Sequence, residues 1–122
     1  MERANLRPDD VDCVYADGSA VPREDAAEVL ALSAVFDGAA PVTTAKPSVG
    51  HLMGAATAAE VAVALKGFRA GRIPPVANLD APASGFDLDF VVGTPRETPG
   101  MLCAAVVARG LGGVNACLVL TH

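Results

Sequence analysis

The chain has 122 residues, 52 % of them apolar and 19 % charged, with 12 Gly and 9 Pro. That is the size and composition of one globular domain with a real core, and disorder is excluded because it needs low hydrophobicity and high charge. The net charge of −5 carries no basic stripe for nucleic acid, and the longest apolar runs are near ten residues, too short for a membrane span.

Residues 1–10, MERANLRPDD, are polar and exclude a secretory signal. Residues 11–16, VDCVYA, alternate and are β-prone, so they predict a short buried strand. DGSAVP after them is turn chemistry. A helix follows, with Asp25 as its cap, Ala26, Ala27, Val29, Leu30, Leu32, Val35 and Phe36 at helical spacing, and Gly38 as its stop. Residues 41–45, PVTTA, predict a second strand. Ala55 to Phe68 has high helix propensity and is apolar on most faces, which predicts a buried helix, and Pro74-Pro75 turns the chain into an extended segment. Residues 86–92, FDLDFVV, set Phe86, Leu88 and Phe90 against Asp87 and Asp89, the pattern of a half-exposed strand. Residues 101–108 and 116–121 predict two more strands, and the three glycines between them suit a tight antiparallel connection. The order β-α-β-α-β-β-β implies an α/β layer with a central sheet. One such layer gives an all-apolar helix little cover, so a further element is expected to pack on it.

Three segments are candidates for chemistry. Lys46-Pro47-Ser48-Val49-Gly50-His51 places a Lys and a His five residues apart in a Gly-containing turn before a helix, where free N–H groups favour anions and a His can donate to a developing oxyanion. The plainer reading has His51 filling a polar gap and Lys46 solvated. Asp17-Gly18-Ser19-Ala20-Val21, with Asp25 and Glu28, is ordinary helix-capping material. Arg109-Gly110-Leu111-Gly112-Gly113-Val114-Asn115 opens no helix, so it is a tight turn and not a dinucleotide fingerprint. The three cysteines, Cys13, Cys103 and Cys117, are odd in number, lack a C-x-x-C, and fall on predicted strands where a thiol is usually inert. They indicate a reduced, cytoplasmic protein, and no metal or other cofactor is implied.

In this order the segments resemble the C-terminal part of the β-ketoacyl synthases, condensing enzymes with the thiolase fold. The family's His-Gly-Thr-Gly-Thr with a following Asp and Glu corresponds to Asp17-Gly18-Ser19-Ala20-Val21, Asp25 and Glu28. Its Lys-x-x-x-Gly-His-x-x-Gly-Ala-Ala corresponds to Lys46, Gly50, His51, Gly54, Ala55 and Ala56. Pro74-Pro75 with Asn78-Leu79 is similar to its Pro-x-x-Asn-Leu segment, and Gly110 to Asn115 to its final Gly-Phe-Gly-Gly-Thr-Asn turn.

The resemblance implies a C-terminal thiolase-like half with a central mixed sheet and a buried helix, spanning residues 1–122 as one domain without the family's N-terminal half: either a fragment, or one part of a subunit split over two chains. It carries His51 and Lys46 over as retained catalytic positions. Asp17 stands where the family has its first catalytic His, and a carboxylate there repels the anion a His would stabilise. Ala16-Asp17-Gly18 and Ala108-Arg109-Gly110 are similar to the chain length factor, the degenerate ketosynthase β subunit of type II polyketide synthases. Many such factors of aromatic systems have lost the His kept here at 51, which brings in factors for reduced or polyene chains. The implied function is a non-catalytic half-subunit completing a complex that elongates acyl chains by decarboxylative Claisen condensation. Its implied partners are a ketosynthase α subunit and/or the missing N-terminal half, and an acyl carrier protein, with no nucleic acid and no membrane. Two alternatives remain open here: a piece of a split active synthase using His51, and a truncated remnant acting as a scaffold.

Overall fold

A computed structural model describes residues 2–122. The first strand, β1 (Cys13–Tyr15), is buried on both faces, and residues alternate between two cores. Val14 faces helix α1 (Pro22–Phe36), while Cys13 and Tyr15 face helix α3 (Ala56–Ala70). Between these helices run β2 (Val42–Thr43) and the one-turn α2 (Lys46–Val49). Strands β5 (Cys103–Arg109) and β6 (Asn115–Thr121) complete a four-stranded sheet of order β2-β1-β5-β6. β1 is parallel to both neighbours, pairing Val14 with Val42 and Ala105, and β5 and β6 are antiparallel from Cys103–Thr121 to Arg109–Asn115. The result is α1 on one face of a mixed sheet and α3 on the other. A two-residue pair, β3 (Arg72–Ile73) with β4 (Arg96–Glu97), stands outside that sheet and outside the expected order.

Several expectations are corrected. α1 begins at Pro22, the residue whose fixed φ suits a first helical turn, and Asp25 lies inside that turn instead of capping it. Leu30 and Val35 face outward, because helical spacing does not say which apolar residues find the core. α1 stops when Asp37 takes the left-handed conformation, one residue before Gly38. α3 is not buried on most faces: one stripe, Ala56, Glu60, Ala64, Gly67 and Phe68, meets the sheet, and Leu65 is 44 % exposed. It ends at the left-handed Gly71, ahead of the prolines. Residues 86–92 form no strand. The expected inward set does pack on the α1 core, but the Phe90 amide turns back to the Leu88 carbonyl, leaving one parallel bridge, Val42 to Phe90.

Candidate functional site

Because β1, β2 and β5 are parallel, their carboxyl ends open on one side of the sheet, where α/β folds collect their ligands. The three motifs lie there: Asp17–Val21 after β1, Lys46–His51 after β2, and the glycine turn after β5. Arg109 Nη1 donates to the Glu24 carbonyl at 2.6 Å, tying the last turn to the start of α1.

Asp17 and Lys46 are brought together. Lys46 Nζ donates to Asp17 Oδ1 at 2.9 Å and also to the Asp17 carbonyl, and both residues are buried, at 6 % and 7 % exposure. Lys46 is therefore not solvated, as the plainer reading had it. A lysine stem threaded through the core is stable there only because its head meets a carboxylate and a carbonyl.

Two glutamates hold the loops that carry this pair. Glu28, on α1, accepts the Asp17 and Gly18 amides at 2.7 and 2.9 Å. Glu60, on α3, accepts the Ala45 amide at 2.9 Å on one oxygen and 3.1 Å on the other, and the Thr44 hydroxyl at 2.9 Å. So Glu28 is a buried anchor and not surface capping material, and Asp25 accepts the Ser19 hydroxyl at 3.1 Å. Glu60 was missed in the sequence. Its signal was available: it is the only Asp, Glu, Lys or Arg between Lys46 and Lys66.

His51 stays apart from the pair. Lys46–Val49 is closed by Gly50 at φ +83°, a left-handed value that a side chain resists, and His51 follows it, exposed. Its Nδ1 accepts the Met53 amide at 3.1 Å, so in the neutral ring the proton sits on Nε2, the nitrogen left as a donor.

The cysteines supply no nucleophile to this cluster. Burial pushes the Cys13 thiol far up and the Cys103 thiol up as well, while Cys117 is exposed on β6, against the expectation of a buried thiol. Among the described residues no helix is long and apolar enough to cross a membrane.

Residues 1–80 match the family model described as β-ketoacyl synthase, C-terminal domain. The chain belongs to the β-ketoacyl synthase family. It is 46 % identical over 121 residues to the tetracenomycin polyketide synthase ketoacyl synthase beta subunit of Streptomyces glaucescens, covering 98 % of this chain and 29 % of that one. It is 36 % identical over 127 residues to 3-oxoacyl-[acyl-carrier-protein] synthase 2 of Coxiella burnetii, covering 100 % and 30 %. The structure of the ishigamide ketosynthase/chain length factor superposes with a TM-score of 0.92 at 26 % identity, over 98 % of this chain and 30 % of that one. The fold is the thiolase-like α/β fold of the ketosynthases, and the chain spans under a third of the length of these relatives.

Proposed function

We propose that this ketosynthase-family chain acts as a non-catalytic, chain length factor-like part of a type II polyketide synthase. It completes a condensing complex instead of performing the condensation. The observation that carries this reading is the Asp17–Lys46 pair. At the position where the family's motif has a His, Asp17 offers a carboxylate that has no N–H to give to a thioester oxygen or an enolate. The lysine charge that would otherwise favour an anion in the cluster is already matched by Asp17 at 2.9 Å. The likeness to the tetracenomycin beta subunit supports the same reading. The partners this reading calls for are a ketosynthase α subunit, which carries the nucleophilic Cys, and/or the N-terminal half of the fold, together with an acyl carrier protein, working in the cytoplasm.

A second reading has one specific observation in its favour. His51 is exposed with Nε2 left as a donor, the form a neutral oxyanion-binding His needs. On that reading the chain lends His51 to an active site whose thiol comes from elsewhere.

The test is polyketide output from the assembled complex. Asp17→Asn, which keeps an oxygen for Lys46, should leave output within about twofold, whereas loss of a catalytic carboxylate typically costs about 100-fold or more. A large drop with assembly intact would make Asp17 chemical. His51→Ala separates the readings: near-normal output supports the chain length factor role, and loss of all condensation supports the shared active site.

A further inference from the structure

A cavity of about 400 Å³ lies against α1, on the face of the sheet opposite α3. Its walls are Val29 and Leu32 of α1 and Val76, Leu79, Phe86 and Phe90 of the segment that crosses in front of them. His51 and Lys46 do not line it; Gly18 of the loop after β1 and Thr44 and Pro47 of the loop after β2 do. Its volume is within the range of small-molecule sites, which is about 300–1,000 Å³.

Most polar side chains of the lining are committed to the protein; Asp25 accepts the Ser19 hydroxyl on one oxygen only. Both Glu28 oxygens take backbone amides, Thr43 Oγ1 donates to the Pro74 carbonyl at 2.7 Å, and Thr44 Oγ1 donates to Glu60. Water inside would therefore find few partners, and an apolar group displacing it gains. The charges that remain are all of one sign. Asp25 and Glu28 line the cavity and no Lys or Arg does, while Asp80 and Asp87 are exposed on the covering segment. An anionic head group is disfavoured there.

We propose that this cavity binds the aliphatic part of a small molecule that carries no negative charge, an alkyl amine or alcohol in chemical class. Neither Asp17 nor Lys46 lines the site. Acyl groups with a free carboxylate are rejected.

The test is photolabelling of the full protein in its assembled complex. The probes are three straight-chain alkyl diazirines that differ only in the head: amine, alcohol or carboxylate. The amine and alcohol probes should insert into the peptides of residues 76–90 and of α1, and the carboxylate probe about tenfold less, a difference of roughly 1.4 kcal/mol in binding. Val76→Trp obstructs the cavity from one wall and should strongly reduce that labelling while leaving polyketide output unchanged. Ala83→Leu, on the exposed part of the lining, does the same if the first variant folds poorly. Labelling undiminished by both variants, labelling confined to other surfaces, or equal labelling by the carboxylate probe would overturn the proposal.

Discussion

The loops after β1 and β2 are built on the same device and use it differently. In each, a glutamate on the next long helix, Glu28 of α1 or Glu60 of α3, reaches back past the end of the preceding strand and accepts backbone N–H there. In the first loop Glu28 takes two backbone N–H groups and no side chain, so the loop's support is independent of what residue 17 is. In the second, Glu60 takes a side chain as well, the Thr44 hydroxyl, and Lys46, two residues on, sends its own side chain 29 positions back along the chain to Asp17. Support and chemistry are thus uncoupled in the first loop and coupled in the second. A different side chain at 17 would leave the Glu28 anchor untouched, because Glu28 takes only backbone amides there, whereas the Asp17 carboxylate has Lys46 as its partner.

The strongest way to break this comparison is to remove the lysine. Lys46→Met should cost about 3–5 kcal/mol, because a buried carboxylate is left without its partner. Lys46→Met combined with Asp17→Leu should recover most of that loss, since a buried pair replaced by apolar residues is often neutral. Denaturant midpoints of both variants check it, and costs that simply add would show that the two residues do not act as a pair.

The next largest effect compares the anchors themselves. Glu60→Ala leaves the buried Ala45 amide and Thr44 hydroxyl without an acceptor and should cost about 2–3 kcal/mol. Glu28→Ala should cost less, about 1–2 kcal/mol, because Gly18 is only half-buried and water can replace part of the contact. Equal losses would remove the distinction between the loops.

Gly67 sharpens the contrast between the helices. A Cβ there would meet the Tyr15 hydroxyl at 3.0 Å and the Arg72 carbonyl at 3.1 Å, so α3 approaches the sheet as closely as backbone allows. Gly67→Ala should therefore destabilise by about 1–3 kcal/mol, although Ala normally favours a helix by about 1 kcal/mol over Gly. A rise in melting temperature would show that the neighbours give way easily.

Alternation and helical spacing made β1, both long helices, β5, β6 and the glycine turn legible in the sequence. Those signals are local. Residues 86–92 had the right inward set but no strand, because alternation reports which side is buried and not whether the amides find a ladder. α3 read as buried all round because alanine counts as apolar while adding little surface that must be covered. In the site, Asp17 and His51 were singled out by the resemblance, and the motif brought Lys46 with them. Their arrangement was not legible. The Asp17 carboxylate does not bond the amides of its own turn: Glu28 takes the Asp17 and Gly18 amides, and the Val21 amide goes to Ser19. No local pattern announces a partner 29 residues away.

The smallest effect belongs to an exposed ion pair, Asp89 with Arg96, whose side chains are 42 % and 37 % exposed. Its geometry is bidentate, with Nη2 to Oδ1 at 2.8 Å, and the hydrogen bonds from Arg96 hold the Asp89 carboxyl below its ordinary value. Because the folded value is depressed, its stabilisation is complete above about pH 4, where an unfolded Asp is ionised, and is lost as pH falls through the folded value. Solvent screens an exposed pair, so Asp89→Asn should cost no more than about 0.5 kcal/mol at neutral pH. Unfolding midpoints of wild type and Asp89→Asn should therefore converge below pH 4, and the gap at pH 7 should shrink with added salt. The Lys46→Met loss should be almost insensitive to salt, because the Asp17–Lys46 pair lies out of reach of the ions that weaken its surface counterpart. Equal salt dependence of the two losses would mean that water reaches the Asp17–Lys46 pair as freely as it reaches the surface one.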